Sequence, residues 1–320
     1  MTVTPSPTTP PDQIPEALRG LPFVVGEPGQ GQVVGLVGSS VRLSVPTTST
    51  VLAASSRYVV TAKLGKVPAE DVTVYDLQGD TASALTYAIG RPVSSAAIAG
   101  DVVLLAGPAP SGVDGGVTAL DLRTRTTMQL VKPGGAVSRQ NVRAVLLSSS
   151  GQTAVSASCT SDGSGCTADV IDVKALKAVR TVDLAGSPSA ATDEIVLVRP
   201  DGSTISGVDL LTGKPRWSHC CEEYDWSYAI PNGFIVAKGS YPFRLLLVDA
   251  MSGVVTTKLE RATQDHWTLW PSLSTSSAAI FSPNGLLAET AADSGRIVGD
   301  LLDLDTGQVT EHALDIGARP

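Results

Sequence analysis

Residues 215–226 read "PRWSHCCEEYDW", which sets two adjacent cysteines beside a histidine, three acids and two tryptophans. Several chemistries compete for such a stretch. His219, Cys220, Cys221 and Glu222 are metal-ligand types, but four consecutive residues cannot surround one ion tetrahedrally without strong backbone distortion. A second histidine, such as His266, would have to join them, and the sequence is read as holding no metal. The cysteine pair could also be redox-active. Neighbouring Cα atoms stand about 3.8 Å apart, below the roughly 4.4–6.8 Å usual for a disulfide, so a vicinal Cys220–Cys221 bridge would be strained and easily reduced. The alternative is two free thiols on opposite sides of a strand, since successive strand residues face opposite ways.

The usual catalytic signatures are absent. The chain has no G-x-S-x-G, no H-E-x-x-H, no C-x-x-C and no G-x-x-x-x-G-K-[ST], which removes the nucleophile elbow, the standard zinc sites and the P-loop. Gly26–Gly31, "GEPGQG", is glycine-rich, but no helix follows it to bind phosphate. The three histidines are His219, His266 and His312; His312 falls in a predicted outer strand, where a solvated side chain is expected.

Composition narrows the field further. The chain has 320 residues, 42% hydrophobic and 17% charged, with net charge −8 and pI about 4.9. An acidic surface repels phosphate backbones, so nucleic acid is not an expected partner. No apolar run reaches the roughly 18 residues of a spanning helix, and no basic amphipathic run suits an anionic membrane. Residues 1–20 are rich in Thr and Pro and read as a stiff linker or a disordered terminus. They lack the charged and apolar regions of a signal peptide, so a membrane anchor would lie upstream of Met1. The other cysteines, Cys159 and Cys166 in "SCTSDGSGC", flank a turn. Facing residues of a hairpin stand close enough for a disulfide, which would place the chain outside the cytoplasm. Two free thiols in a cytoplasmic hairpin are the alternative.

The elements that carry these residues emerge from a recurring phrase: "VTVYDLQGD", "VTALDLRTR", "DVIDVKALK", "SGVDLLTGK", "LLLVDAMSG" and "DLLDLDTGQ". In each, an apolar strand ends in an aspartate, at 76, 121, 172, 209, 249 and 303, spaced 45, 51, 37, 40 and 54 residues apart. Asp caps a tight turn with its side chain, and Thr-Gly or Ser-Gly supplies the positive φ. A second strand then departs, as in "TMQLV", "PRWSH" or "VTEHAL". Two more strand patterns precede each phrase, most plainly in "AAIAGDVVLLAG" and "SYAIPNGFIVAKG". Four short strands per repeat, without a convincing helical period, predict an all-β β-propeller of four-stranded antiparallel blades. Residues 21–320 would form it as a single domain. Seven blades, of about 43 residues each, fit that span better than six, with "ALDIGARP" supplying an inner strand to close the ring.

"GVDLLTGKPRWSH", residues 207–219, resembles the repeat of pyrroloquinoline-quinone-type propellers. In that family an Asp, a Thr-Gly turn and a Trp on the outermost strand recur, and the Trp docks onto the next blade. Asp209, Thr212, Gly213 and Trp217 match, and Asp303, Thr306 and Gly307 match in part. The other repeats look more like WD-like or YVTN-type propellers, so the resemblance covers most of the chain as architecture and one blade closely. Quinone-dependent dehydrogenases of the family hold a vicinal disulfide against the cofactor, which Cys220 and Cys221 could imitate. They also have eight blades, about twice this length and a calcium site needing Asn, whereas this chain has three Asn. No cofactor is expected.

A binding or scaffold role is therefore expected. "HCCEEYDW" and "ATQDHWTLW" would join successive blades on one face. All four tryptophans, Trp217, Trp226, Trp267 and Trp270, lie in this region. The expected site consists of Trp226, Trp267, Glu222, Glu223, Asp225, Asp265 and His266, an acidic-aromatic surface for a protein or a small polar or cationic ligand. The competing readings are tryptophans packed between blades, as expected of Trp217, and a lyase or hydrolase site at the axial funnel built from the same acids and His266.

Overall fold

The computed structural model describes residues 20–25, 29, 31–36, 39, 42–64, 69–78, 83–107, 116–132, 144–159, 165–220, 224, 226–238, 243–261, 279–282, 285–290, 297–303 and 309–314. At a few strand positions, Trp226 among them, and after Arg261 it describes the backbone alone. Within these residues 27 strands form seven antiparallel sheets in chain order. Sheet one is β1 (Pro22–Val25), β2 (Gln32–Leu36) and β3 (Arg42–Val45). Sheet two is β4 (Ser49–Ala54), β5 (Tyr58–Lys63), β6 (Ala69–Asp76) and β7 (Ser83–Val93). Sheet three is β8 (Ser95–Ala99), β9 (Val102–Ala106), β10 (Val117–Asp121) and β11 (Thr126–Val131). Sheet four is β12 (Ala144–Leu147), β13 (Thr153–Cys159), β14 (Cys166–Asp172) and β15 (Lys177–Leu184). Sheet five is β16 (Ser187–Ala191), β17 (Ile195–Asp201), β18 (Thr204–Asp209) and β19 (Pro215–His219). Sheet six is β20 (Trp226–Ile230), β21 (Gly233–Lys238), β22 (Phe243–Asp249) and β23 (Val255–Arg261). Sheet seven is β24 (Ala279–Ser282), β25 (Gly285–Thr290), β26 (Ile297–Asp303) and β27 (Val309–Leu314).

Each sheet is a meander whose first strand meets the first strand of a neighbouring sheet. β1 meets β4, β4 meets β8, β8 meets β12, β12 meets β16, and β16 meets β20; β24 returns to β1. Sheets arranged around a common axis with the last against the first make a β-propeller. Most of "ALDIGARP", which was expected to close the ring, lies outside the described residues. Ala313 and Leu314 end β27, the outer strand of sheet seven, where they pair with Val298 and Ile297. Sheet one has three described strands, of which β1 is the innermost. Residues 315–320 are not among the described residues.

The core lies between sheets. Successive strand residues face opposite sides, so a buried strand feeds two clusters. In β9, Val103 and Leu105 pack with Tyr58 and Val60 of sheet two, while Leu104 and Ala106 pack with Ala154 and Ile171 of sheet four. In β17, Val196 and Val198 face sheet four, and Ile195 and Leu197 face Phe234 and Val236 of sheet six. This two-sided burial explains why these strands read as nearly continuous apolar runs rather than alternating ones.

All six phrase aspartates end the third strand of their sheets, and the turns after Asp121, Asp172, Asp209 and Asp249 are equivalent. The carboxylates organise these turns. Oδ1 of Asp121 accepts from the N–H groups of Arg123 and Thr124 (2.9 and 3.1 Å). Asp209 accepts from Leu211 and Thr212 (2.9 and 2.8 Å), and Asp249 from Met251 and Ser252 (3.1 and 2.8 Å). Asp76 and Asp172 accept from Gln78 and Ala175. Four positions after the aspartate the chain turns left-handed, at Gly213 (φ 69°) and Gly253 (φ 72°) but also at Arg125 (φ 60°) and Leu176 (φ 50°). Arg125 is exposed, so Arg125→Gly is expected to raise stability by up to about 1 kcal/mol. It would relieve about 1–2 kcal/mol of left-handed strain, offset by the greater freedom of glycine in the unfolded chain. Urea unfolding with no gain in midpoint would show that the turn imposes no strain there.

Candidate functional site

The stretch that opened the question begins on β19, the outer strand of sheet five, and its first half is a docking element. Trp217 Nε1 donates to the Ala250 carbonyl in the turn of sheet six (2.8 Å). The indole lies between two glycines. A Cβ on Gly207, its cross-strand partner, would overlap the ring, and one on Gly253 would stand 2.5 Å from Cγ. His219 joins the same contact. Its Nε2 donates to the Gly253 carbonyl (2.6 Å), and its ring centroid lies 5.5 Å from that of Trp217. The metal reading of His219 is thus replaced by a structural one, and among the described residues no group of three or more His, Cys, Asp or Glu is placed to hold a metal ion.

Below the docked ring the turn is held electrostatically. Arg216 Nε and Nη2 both donate to Asp209 Oδ2 (2.8 and 2.6 Å), a charge-assisted pairing. The Arg216 guanidinium, then the Thr212 N–H and hydroxyl and the Leu211 N–H, hold the Asp209 carboxyl down at about 2, against the opposing push of desolvation. A carboxyl depressed in the folded state stabilises fully above its unfolded value near 3.9. That contribution disappears as pH falls through the folded value. Asp209→Asn is therefore expected to flatten the loss of stability between about pH 4 and pH 2. Parallel acid-unfolding curves for the two proteins would refute the assignment.

The second half of the stretch is described only in part. Cys220 is disulfide-bonded, which removes its reading as a free thiol. Cys221, Glu222, Glu223 and Asp225 lie outside the described residues, as do Asp265, His266, Trp267 and Trp270 of the neighbouring connection. Trp226 opens β20, with its backbone opposite Ala237. Tyr224, which stands among acids in the sequence, is buried in the cluster between sheets five and six with Phe234 and Ile205. Its carbonyl accepts from Arg199 Nη1 on β17 (2.8 Å), and Ser227 Oγ donates to Ser189 Oγ on β16 (2.8 Å). The connection is therefore tied to sheet five at His219's strand, at Tyr224 and at Ser227. Sequence reasoning missed Arg199, which in "VLVRPD" reads as a solvated residue at a strand end.

Cys159 and Cys166 are joined by a disulfide across the β13–β14 hairpin, with Cα atoms 3.9 Å apart. Antiparallel alternation sets this hairpin turn at the end of the sheets where outer strands pass to the next inner strand. At the other end, charged residues link sheets two and three. Arg57 pairs with Asp76 and Asp101 (both 3.2 Å), and Tyr58 Oη donates to Asp101 (2.9 Å). Burial first, and then the Asp101 carboxylate, push the Tyr58 hydroxyl up to about 12. Sheets four and five repeat this contact with a neutral donor, Ser150 Oγ donating to the Asp193 carboxylate (2.8 Å).

No protein-family model matches this chain, and no curated protein matches it. Among solved structures, BamB from Moraxella catarrhalis is similar at 16% identity and a TM-score of 0.49, over 93% of this chain and 84% of that one. A computationally designed protein, Ika8, is similar at 17% identity and a TM-score of 0.46, over 83% and 87% of the two chains. The classification rests on the strand order and on the inner strands' contacts, by which this chain is a β-propeller of meandering antiparallel sheets.

Proposed function

We propose that the chain is a non-enzymatic binding or scaffold module that presents an acidic-aromatic face to a protein or small polar or cationic ligand outside the cytoplasm. One observation carries the choice against an enzyme with its site at the axis. The first strands of the seven described sheets read PFVV, STVLAA, SAAIA, AVLL, SPSAA, WSYAI and AIFS. They contain no Asp, Glu, His, Lys or Arg, whereas a lyase or hydrolase needs acids and bases converging from several sheets. Uncharged residues there suit a closed, rigid frame whose connections do the recognising.

The topology supports the choice of face. β19 and β23 are both outer strands, and the connections after them, to β20 and β24, leave from the same end of the ring. In this reading Trp226 and Trp267 supply apolar area, while Glu222, Glu223, Asp225, Asp265 and His266 set the polar and mainly negative surroundings. A Cys220–Cys221 bridge would stiffen the first connection and reduce the entropy lost on binding. The Cys159–Cys166 disulfide supports an oxidising compartment. Residues 1–20 act as a tether and 21–320 as one domain.

The test is affinity capture from an envelope extract, with the retained protein identified by mass spectrometry. Glu222→Ala with Asp265→Ala is expected to reduce recovery of that protein about tenfold or more, as loss of two interface charges should. The melting temperature should move by no more than about 2 °C, as surface substitutions do. Equal recovery by both forms would leave the stretch a structural loop.

A further inference from the structure

The five-to-six junction shows what fills the space between two sheets at the turn end, and the four-to-five junction lacks it. Arg180 stands where Trp217 stands one sheet later. Each lies eight residues after its turn aspartate and opposite the residue two before it, Val170 for Arg180 and Gly207 for Trp217. Arg180 Nη1 donates to the Leu211 carbonyl (3.1 Å), much as Trp217 Nε1 donates to that of Ala250. No flat ring is buried there. A Cβ on Gly213 would meet nothing nearer than Val182 Cβ at 3.6 Å, whereas its counterpart on Gly253 would press on the indole. The result is a cleft of about 700 Å³ between the two sheets, within the size range of small-ligand sites.

The lining of this cleft is specific. Val170, Val179 and Leu211 give it apolar walls, and Val179 and Leu211 are 47% and 70% exposed. Most of its charged groups are already engaged: Asp209 by Arg216, Asp172 by its turn N–H, Asp193 by Ser150. Two are not. Lys174, from the turn of sheet four, and Glu194, from the β16–β17 turn of sheet five, make no side-chain hydrogen bond or ion pair among the described residues. Arg180 commits Nη1 alone. One cation and one anion from opposite walls, above an apolar floor, match a zwitterion with a flat apolar body.

We propose that this cleft binds a free aromatic amino acid. The ring lies against Val170, Val179 and Leu211, the carboxylate meets Lys174 and Arg180, and the ammonium meets Glu194. The site is independent of the acidic-aromatic face. Calorimetric titration of the full chain with L-tryptophan, L-tryptophanamide, N-acetyl-L-tryptophan and indole tests it. Tryptophan should bind with a dissociation constant of about 1 mM or tighter, and the amide and the acetyl derivative should each bind about tenfold more weakly. Lys174→Met should reduce the preference over the amide, and Glu194→Gln should erase the preference over the acetyl form. Val170→Gly with Arg180→Trp should rebuild the docked indole and abolish binding, while a cooperative melt shows that the variant is folded. No binding of tryptophan at that concentration would overturn the proposal. So would indole binding as tightly as tryptophan, or unchanged preferences in the Lys174 and Glu194 variants.

Discussion

Trp217→Ala is expected to destabilise the protein by about 3–5 kcal/mol, the range for removing a large aromatic from a packed site. In a domain of this size the melting temperature should fall by roughly 6–15 °C. Three losses combine. The indole leaves a void between sheets five and six, the Ala250 carbonyl loses its donor, and His219 loses its ring neighbour. Trp217→Phe separates them: it keeps most of the ring and should cost about 1–2 kcal/mol, for the hydrogen bond and a smaller fill. A Trp217→Ala protein that melts within about 2 °C of wild type would mean that the two sheets are held elsewhere.

Gly253→Ala should cost nearly as much, about 3 kcal/mol or more, although it adds one methyl group. The new Cβ would stand 2.5 Å from Trp217 Cγ and 2.7 Å from Cδ2, and the backbone there is left-handed at φ +72°. The ring has to leave its place or the turn has to move. Only the steric part depends on Trp217, so the two substitutions should couple. In the Trp217→Ala background, Gly253→Ala should fall to the backbone cost alone, about 1–2 kcal/mol. Additive effects across the four proteins of the cycle would show that the glycine is needed for its conformation and not to receive the indole.

The propeller was legible because its signals are local. A strand, an aspartate and a turn lie within ten residues of one another, and the turn carboxylates bond to N–H groups two and three positions on. "PRWSH" and "VTEHAL" are strands with those limits. The candidate site was less legible because its contacts are not local. His219 suggested a ligand by its neighbours in sequence, yet its partner is Gly253, 34 residues away. Tyr224 stands among acids in the sequence and is buried through side chains of two sheets. Arg199 carries no mark of its role, since its acceptor is a backbone carbonyl, which any residue could supply.

The left-handed residues at the turns bear on how such a repeat can drift. Sheets five and six keep glycine at that position, yet Arg125 and Leu176 hold the same conformation in sheets three and four. The carboxylate is common to all four turns, and it takes the turn N–H groups whichever residue follows. The acceptor therefore carries the instruction to turn, and glycine only lowers its cost. A sequence can lose Thr-Gly from one repeat after another and still close its hairpins. It cannot lose the aspartate so cheaply, because two N–H groups would then need another partner. Divergence in such a chain removes the visible motif before it removes the fold.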